Sequence, residues 1–182
     1  MDDFAMKRAR LGACCLLALA AAAAPALAKP RTTAANLLDR VQIEDLLVDY
    51  YAPLAGGGDR EDMGKWYAED GVLDINGRVY HGRKGVAQAY KDAGVAAGNA
   101  FHGKAHMLMT NPRIEVHGRT ATADVIWTGI DNETIKSQPH FVEQGREHDE
   151  LVKVGGDWLI KRRLITSDGG IPDFYAATYK DR

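Results

Sequence analysis

From residue 105 onward the chain reads as four long strands in succession, at about 105–116, 120–134, 140–154 and 158–167. Gly118 and Gly155-Gly156 supply tight turns between them, and the polar stretch 131–139 supplies a longer connection. Few architectures accept such a meander behind a helical first half. That half opens with Leu37, Leu38, Val41, Leu46, Leu47, Tyr50, Tyr51 and Leu54, which recur mainly at three- and four-residue steps, the stripe of an amphipathic helix. Pro53 removes a backbone donor near its end, and Gly56-Gly57-Gly58 stops it. Asp59 then suits the N-cap of a second, short helix carrying Met63, Trp66 and Tyr67. Strands at 72–75 and 78–80 meet across Asn76-Gly77, a pair that tolerates the positive φ angles of a hairpin turn. A third helix is expected at about 84–97. The order predicts an α+β protein in which a strongly curved antiparallel sheet wraps around three N-terminal helices.

The N-terminus carries a different message. Lys7, Arg8 and Arg10 precede an almost uncharged stretch, 11–27, that ends in Ala26-Leu27-Ala28, a small-x-small cleavage pattern. Residues 1–28 are therefore expected to be a signal peptide, leaving 29–182 as a single domain with a C-terminal tail from about 168. A retained anchor is the alternative, but the apolar run is short for a span and mostly Ala. Cleavage would place the protein in the periplasm or outside the cell, with no membrane attachment. Both cysteines, Cys14 and Cys15, would leave with the signal, so no disulfide, cysteine nucleophile or thiolate metal site would remain. Removal also takes three basic and two acidic residues from totals of 23 Lys+Arg and 25 Asp+Glu. The remainder is close to neutral, which gives no basis for a nucleic-acid partner.

Between 35 and 167 the local wording resembles the SnoaL-like group of the nuclear transport factor 2-like superfamily. The resemblance is carried by Ile43-Glu44-Asp45-Leu46-Leu47 with Tyr50-Tyr51, by Trp66-Tyr67-Ala68-Glu69-Asp70-Gly71, and by Tyr80-His81-Gly82-Arg83. It continues through His106 with Asn111-Pro112-Arg113-Ile114, through Thr120-Ala121-Thr122-Ala123, and through Gly155-Gly156-Asp157-Trp158-Leu159-Ile160-Lys161-Arg162-Arg163. It implies a cone-shaped roll whose mouth hosts proton-transfer or elimination chemistry with no metal and no organic cofactor, often in a dimer or trimer. Non-catalytic members leave a binder open as well.

The same resemblance proposes site residues. His106 is similar to the family histidine, and a neutral imidazole can take and return a proton near neutral pH. The family spacing from that histidine to the asparagine is four residues, whereas His106 and Asn111 are five apart, so a bulge or a one-residue realignment is needed. The aspartate that partners it in relatives falls near Gly56. Asp59 can substitute for it or simply cap a helix. Glu147 matches a cavity-facing position, and a one-residue flip of its strand would bring His148 and Glu150 inward instead. Tyr50 and Tyr51 match tyrosines that polarise a substrate oxygen, though both also suit the core. Arg163 matches a pocket arginine that can stabilise an oxyanion, or it pairs with Asp149 on the next strand. Ser167 lies four residues on, on the same face.

Trp66, His102 and Trp127 complete the candidate substrate-binding set, Trp127 being equally suited to the core or to a subunit interface. His102 and His106 would share a face only on a helix, and Gly103 with the onset of a strand argues against one, so no metal site is expected. The resulting expectation is a cofactor-independent lyase or isomerase, acting by proton abstraction or elimination on an apolar, aromatic, hydroxylated small molecule. The alternative is a periplasmic binding or assembly module.

Overall fold

The computed structural model describes residues 31–54, 62–97, 105–132, 134–170 and 173–176. The expected signal segment lies outside these residues, as do Asp59 and His102. Helix α1 spans Leu37–Tyr51 and runs into a 3-10 turn at Ala52–Leu54, where Pro53 lacks the donor that would continue it. Ile43, Leu46, Leu47, Tyr50 and Tyr51 form its buried face. The stripe is narrower than its spacing suggests, because Leu37, Leu38 and Val41 are exposed.

The expected second helix is a four-residue 3-10 turn, Met63–Trp66, after which Tyr67 opens a strand. Close packing limits it: a Cβ on Gly64 would stand 2.3 Å from the carbonyl oxygen of Arg83. Strand β1 (Tyr67–Ile75) and strand β2 (Arg78–His81) form the expected hairpin, with Asn76 at φ 52° and Gly77 at φ 92°. The Asn76 side chain also accepts from the backbone N–H of Ser167 at 2.9 Å, tying this turn to the far end of the chain. Helix α2 spans Gly82–Ala97. The meander follows as β3 (His106–His117), β4 (Thr120–Asp131), β5 (His140–Val154) and β6 (Asp157–Gly169), turning at Gly118 and at Gly155-Gly156, all three at positive φ. A four-residue helix, α3 (Asp173–Ala176), ends the described chain, and Tyr175 within it is buried, so this part of the expected tail is packed.

The six strands form one sheet in the order β2-β1-β6-β5-β4-β3. Every neighbouring pair is antiparallel except β1 and β6, which run parallel because the whole meander intervenes between them. The sheet is therefore mixed and open, with β2 and β3 at its edges, and not the strongly curved antiparallel roll around three helices that the sequence suggests. With the middle helix reduced to one turn, two long helices cover its inner face. α1 packs on β3 and β6, and α2 packs on β1. The core between them holds Ile43, Leu47, Tyr50, Tyr67, Leu73, Val86, Ile114, Leu151 and Ile160.

Candidate functional site

Alternation along β5 turns Gly145, Glu147, Asp149 and Leu151 inward and Arg146, His148 and Glu150 outward. Glu147 is thus the residue that faces the core, and His148 lies outside, paired with Asp124 at 2.7 Å. On the neighbouring strands Glu147 stands opposite Val125 and Ile165, and Asp149 stands opposite Ala123 and Arg163. Arg163 owes its inward position to a register shift. β5 steps from Glu150↔Arg162 to Leu151↔Ile160, which leaves Lys161 as an extra residue. Without that bulge the alternation from Trp158 and Ile160 would bury Arg162 instead.

These residues and α1 form a buried polar cluster. The Tyr51 hydroxyl donates to Oε2 of Glu147 at 2.6 Å. Arg163 donates from Nε to Oδ1 of Asp149 at 2.7 Å and from Nη2 to Oδ2 at 2.6 Å, a two-point contact. The same Nη2 lies 3.2 Å from Oε1 of Glu147, close enough for an ion pair. The guanidinium also lies over the Tyr50 ring, its Cζ 3.8 Å from the centroid. Tyr50 in turn shares a hydrogen bond with the Tyr90 hydroxyl of α2 and packs against the Tyr67 ring. Arg163 and Asp149 are 0% exposed and Glu147 3%. Three polar atoms of this cluster have no hydrogen-bond partner among the described residues, Oε1 of Glu147, Nη1 of Arg163 and the hydroxyl of Tyr67.

Two carboxylates and one guanidinium share this volume, so one carboxylate is left without a full countercharge. Burial pushes the Glu147 carboxyl up to about 8, and the nearby Asp149 adds to the rise, while Arg163 and the Tyr51 hydrogen bond oppose it without cancelling it. Burial also raises the Tyr50 hydroxyl, to about 12, and moves Tyr51 and Tyr67 well above the ordinary phenol value. Burial disfavours the charged guanidinium of Arg163, but Asp149 and Glu147 outweigh that and hold it protonated. The cluster offers one carboxyl able to take and release a proton near neutral pH, and one positive group with a free donor.

The other sequence candidates take different positions. His106 begins β3 and is exposed, and its ring has no partner among the described residues. It lies directly across from Ile130, on the face opposite Met107 and Met109, which pack against the core. The spacing anomaly has a structural counterpart. The β3–β4 register shifts between Thr110 and Arg113, and Asn111 sits there at φ 53°. This bulge rotates the start of β3 by one residue, so the position four residues before Asn111, Met107, is the one that turns inward. Trp127 is buried, its indole filling the space above Gly145, where a Cβ would lie 2.6 Å from Cζ2 of the ring. Its Nε1, like that of the half-buried Trp66, has no partner among the described residues. Ser167 is buried at the sheet end and donates to the carbonyls of Gln144 and Gly169.

Sequence reasoning missed the polar role of Tyr67, which it placed in a helix as an apolar residue, and did not single out Tyr90 of α2. The available signal was their chemistry: buried hydroxyls seek partners, and four tyrosines in a domain core are a polar feature.

The SnoaL-like domain family matches residues 35–164 of the chain. No curated protein matches it by sequence. Among solved structures it is similar to a protein of unknown function with a cystatin-like fold from Nostoc punctiforme, at 21% identity and TM-score 0.61, covering 75% of this chain and 96% of that one. It is also similar to an NTF2-like protein with a cystatin-like fold from Novosphingobium aromaticivorans, at 22% identity and TM-score 0.60, with 80% and 91% covered. A proposed scytalone dehydratase from the same organism is similar at 22% identity and TM-score 0.58, with 74% and 87% covered. These likenesses fix the fold as NTF2-like, and the match over most of the described domain identifies the chain as a member of the SnoaL-like domain family.

Proposed function

We propose that this protein is a cofactor-independent lyase or isomerase in which Glu147 transfers the proton and Arg163 stabilises the oxygen that becomes negative. The observation that carries this reading is that two buried atoms of one cluster are unsatisfied, an acceptor on Glu147 and a donor on Arg163. Buried polar atoms without partners are costly, and a ligand hydroxyl would satisfy both, donating to Oε1 of Glu147 and accepting from Nη1 of Arg163. As a carboxylate, Glu147 takes a proton from the substrate and returns it to a leaving oxygen or a neighbouring carbon. Its raised affinity for protons makes it a stronger base than an ordinary glutamate and suits it to work near neutral pH. Tyr51 orients the carboxyl, and Nη1 of Arg163 meets the developing oxyanion.

The surrounding side chains support an apolar, aromatic substrate. Tyr50, Tyr51, Tyr67, Trp127, Met107 and Met109 border the same inner face. Dehydration, or release of formaldehyde from a hydroxymethyl group, fits a site that needs one acid–base group and one anion-stabilising group. In this reading the proton-transfer role belongs to Glu147 and not to the exposed His106. A second reading, a non-catalytic pocket for the same ligands, is favoured by one observation: Met107 occupies the inward place where the resemblance implies a histidine.

The two readings separate in one experiment. Chelator-treated wild type and Glu147→Gln are incubated with hydroxylated diaryl and polycyclic compounds, and products are followed by mass spectrometry for loss of water or formaldehyde. Turnover by wild type and its collapse in Glu147→Gln is the expected result. Equal turnover in both removes Glu147 from the chemistry, and ligand binding without turnover in either supports the pocket reading.

A further inference from the structure

The use of Glu147 as a proton-transfer group raises a question that the neighbouring strands answer. An arginine 3.2 Å from a glutamate would ordinarily form a full ion pair with it and hold it ionised. Here the pairing is incomplete. Arg163 gives its two hydrogen bonds to Asp149, and Oε1 of Glu147 accepts none.

We infer that Asp149 is a positioning residue for this site: by gripping Nε and Nη2 of Arg163 it aims Nη1 at the ligand and withholds the guanidinium from Glu147. The inference rests on the reading of Glu147 given above. Three geometric facts support it. The contact with Asp149 is two-point, which fixes the guanidinium plane as a single hydrogen bond would not. It uses one whole edge of the guanidinium, so the nitrogen left over, Nη1, is the unpartnered one. The grip is also reinforced from the face, because the Tyr50 ring lies against the guanidinium and is itself tied to α2 through Tyr90.

Among the described residues the titratable and charged groups that act on Glu147 can be named. From α1 come the hydroxyls of Tyr51 and Tyr50, and from β6 the charge of Arg163, while the Tyr67 hydroxyl of β1 lies nearer Tyr50, Arg163 and Asp149. From α2 comes the hydroxyl of Tyr90, one step removed behind Tyr50, and from β5 itself comes Asp149. The β4 neighbours Val125 and Trp127 carry no charge. Loss of the Asp149 charge therefore acts on Glu147 in one direction by two routes. It removes a like charge, and it frees Arg163 to turn its hydrogen bonds toward Glu147. Both routes make Glu147 more acidic.

The test reads Glu147 directly. Its side-chain carboxyl carbon, assigned by its disappearance in Glu147→Gln, is titrated by carbon NMR in wild type and in Asp149→Asn. The expected result is a midpoint at least about one pH unit lower in the variant, a tenfold gain in acidity. An unmoved or raised midpoint overturns the inference. Should Asp149→Asn not fold, the guanidinium nitrogens of wild-type Arg163 give the answer. Separate, slowly exchanging Nη1 and Nη2 signals mean that the guanidinium is held, and a single averaged signal means that it is not. Neither measurement depends on turnover. A shifted midpoint with no activity would keep the positioning role and remove the catalytic reading, and the reverse pattern would do the opposite.

Discussion

The hydroxyl of Tyr51, on the last residue of the first helix, lies 2.6 Å from Oε2 of Glu147, 96 positions later in the middle of the fifth strand. That hydrogen bond favours the ionised carboxyl and partly offsets the effect of burial. Tyr51→Phe should therefore move the titration of Glu147 to higher pH and leave Oε2 without its partner. Stability should fall by about 1–3 kcal/mol, the cost of one buried unsatisfied acceptor. Urea unfolding and a pH–rate profile check the two effects. A limb that moves to lower pH would contradict the geometry.

Glu147→Gln separates stability from chemistry. The folded state holds the Glu147 proton up to about 8, whereas an unfolded glutamate releases it near 4.5. Between those values the native state binds more protons than the unfolded state, so stability contributed by the protonated form is lost as pH rises through that window. The amide cannot ionise. Wild type and variant should have similar stability at about pH 5, and the variant should be the more stable at about pH 9. A difference that does not change with pH would show that Glu147 titrates normally.

Arg163 and Asp149 test the buried pair as a unit. Arg163→Met leaves Asp149 buried without its cation and should cost about 3–5 kcal/mol. Adding Asp149→Leu should recover most of that loss, because two apolar residues of similar bulk replace two charges. Denaturant unfolding of the single and double variants measures the coupling. Activity should not return in the double variant.

His106→Ala and Glu147→Gln form a direct contrast. His106 is exposed on the outer face of β3, and its loss should leave both fold and turnover unchanged. Glu147→Gln should reduce turnover by roughly 10²- to 10⁴-fold, the usual weight of a positioned acid or base. Loss of turnover on His106→Ala alone would return proton transfer to the histidine.

Export is expected to leave Lys29 as the first residue. N-terminal sequencing of protein from the periplasm checks this, and intact 11–28 on cytoplasmic protein would sink it.

The turns were the most legible part of the chain, since Asn76-Gly77, Gly118 and Gly155-Gly156 are residue types that positive φ selects. α1, α2 and the four meander strands were legible from periodicity. The middle helix was not, because Met63, Trp66 and Tyr67 fit a helical stripe as well as the turn and strand that they form. On β5 the alternation carried no hydrophobic signal: Glu147 and Asp149 alternate with Arg146, His148 and Glu150, polar on both faces. Only the neighbours decide, Ala123 and Val125 on one side and Arg163 and Ile165 on the other. The faces taken by His106 and Arg163 each depend on one extra residue in a ladder, a count that exists only once the strands are paired.

The bulge at Asn111 means that length, more than residue type, sets which side chains β3 offers to the interior. Asn111 and Pro112 stand there opposite the single Val125 of β4, so straightening the bulge with both residues kept would roll residues 106–110 through half a turn, carrying Met107 out and His106 in, with no substitution at either position. Whether this end of β3 offers the interior a thioether or an ionisable lining thus rests on one step of pairing between Thr110 and Arg113.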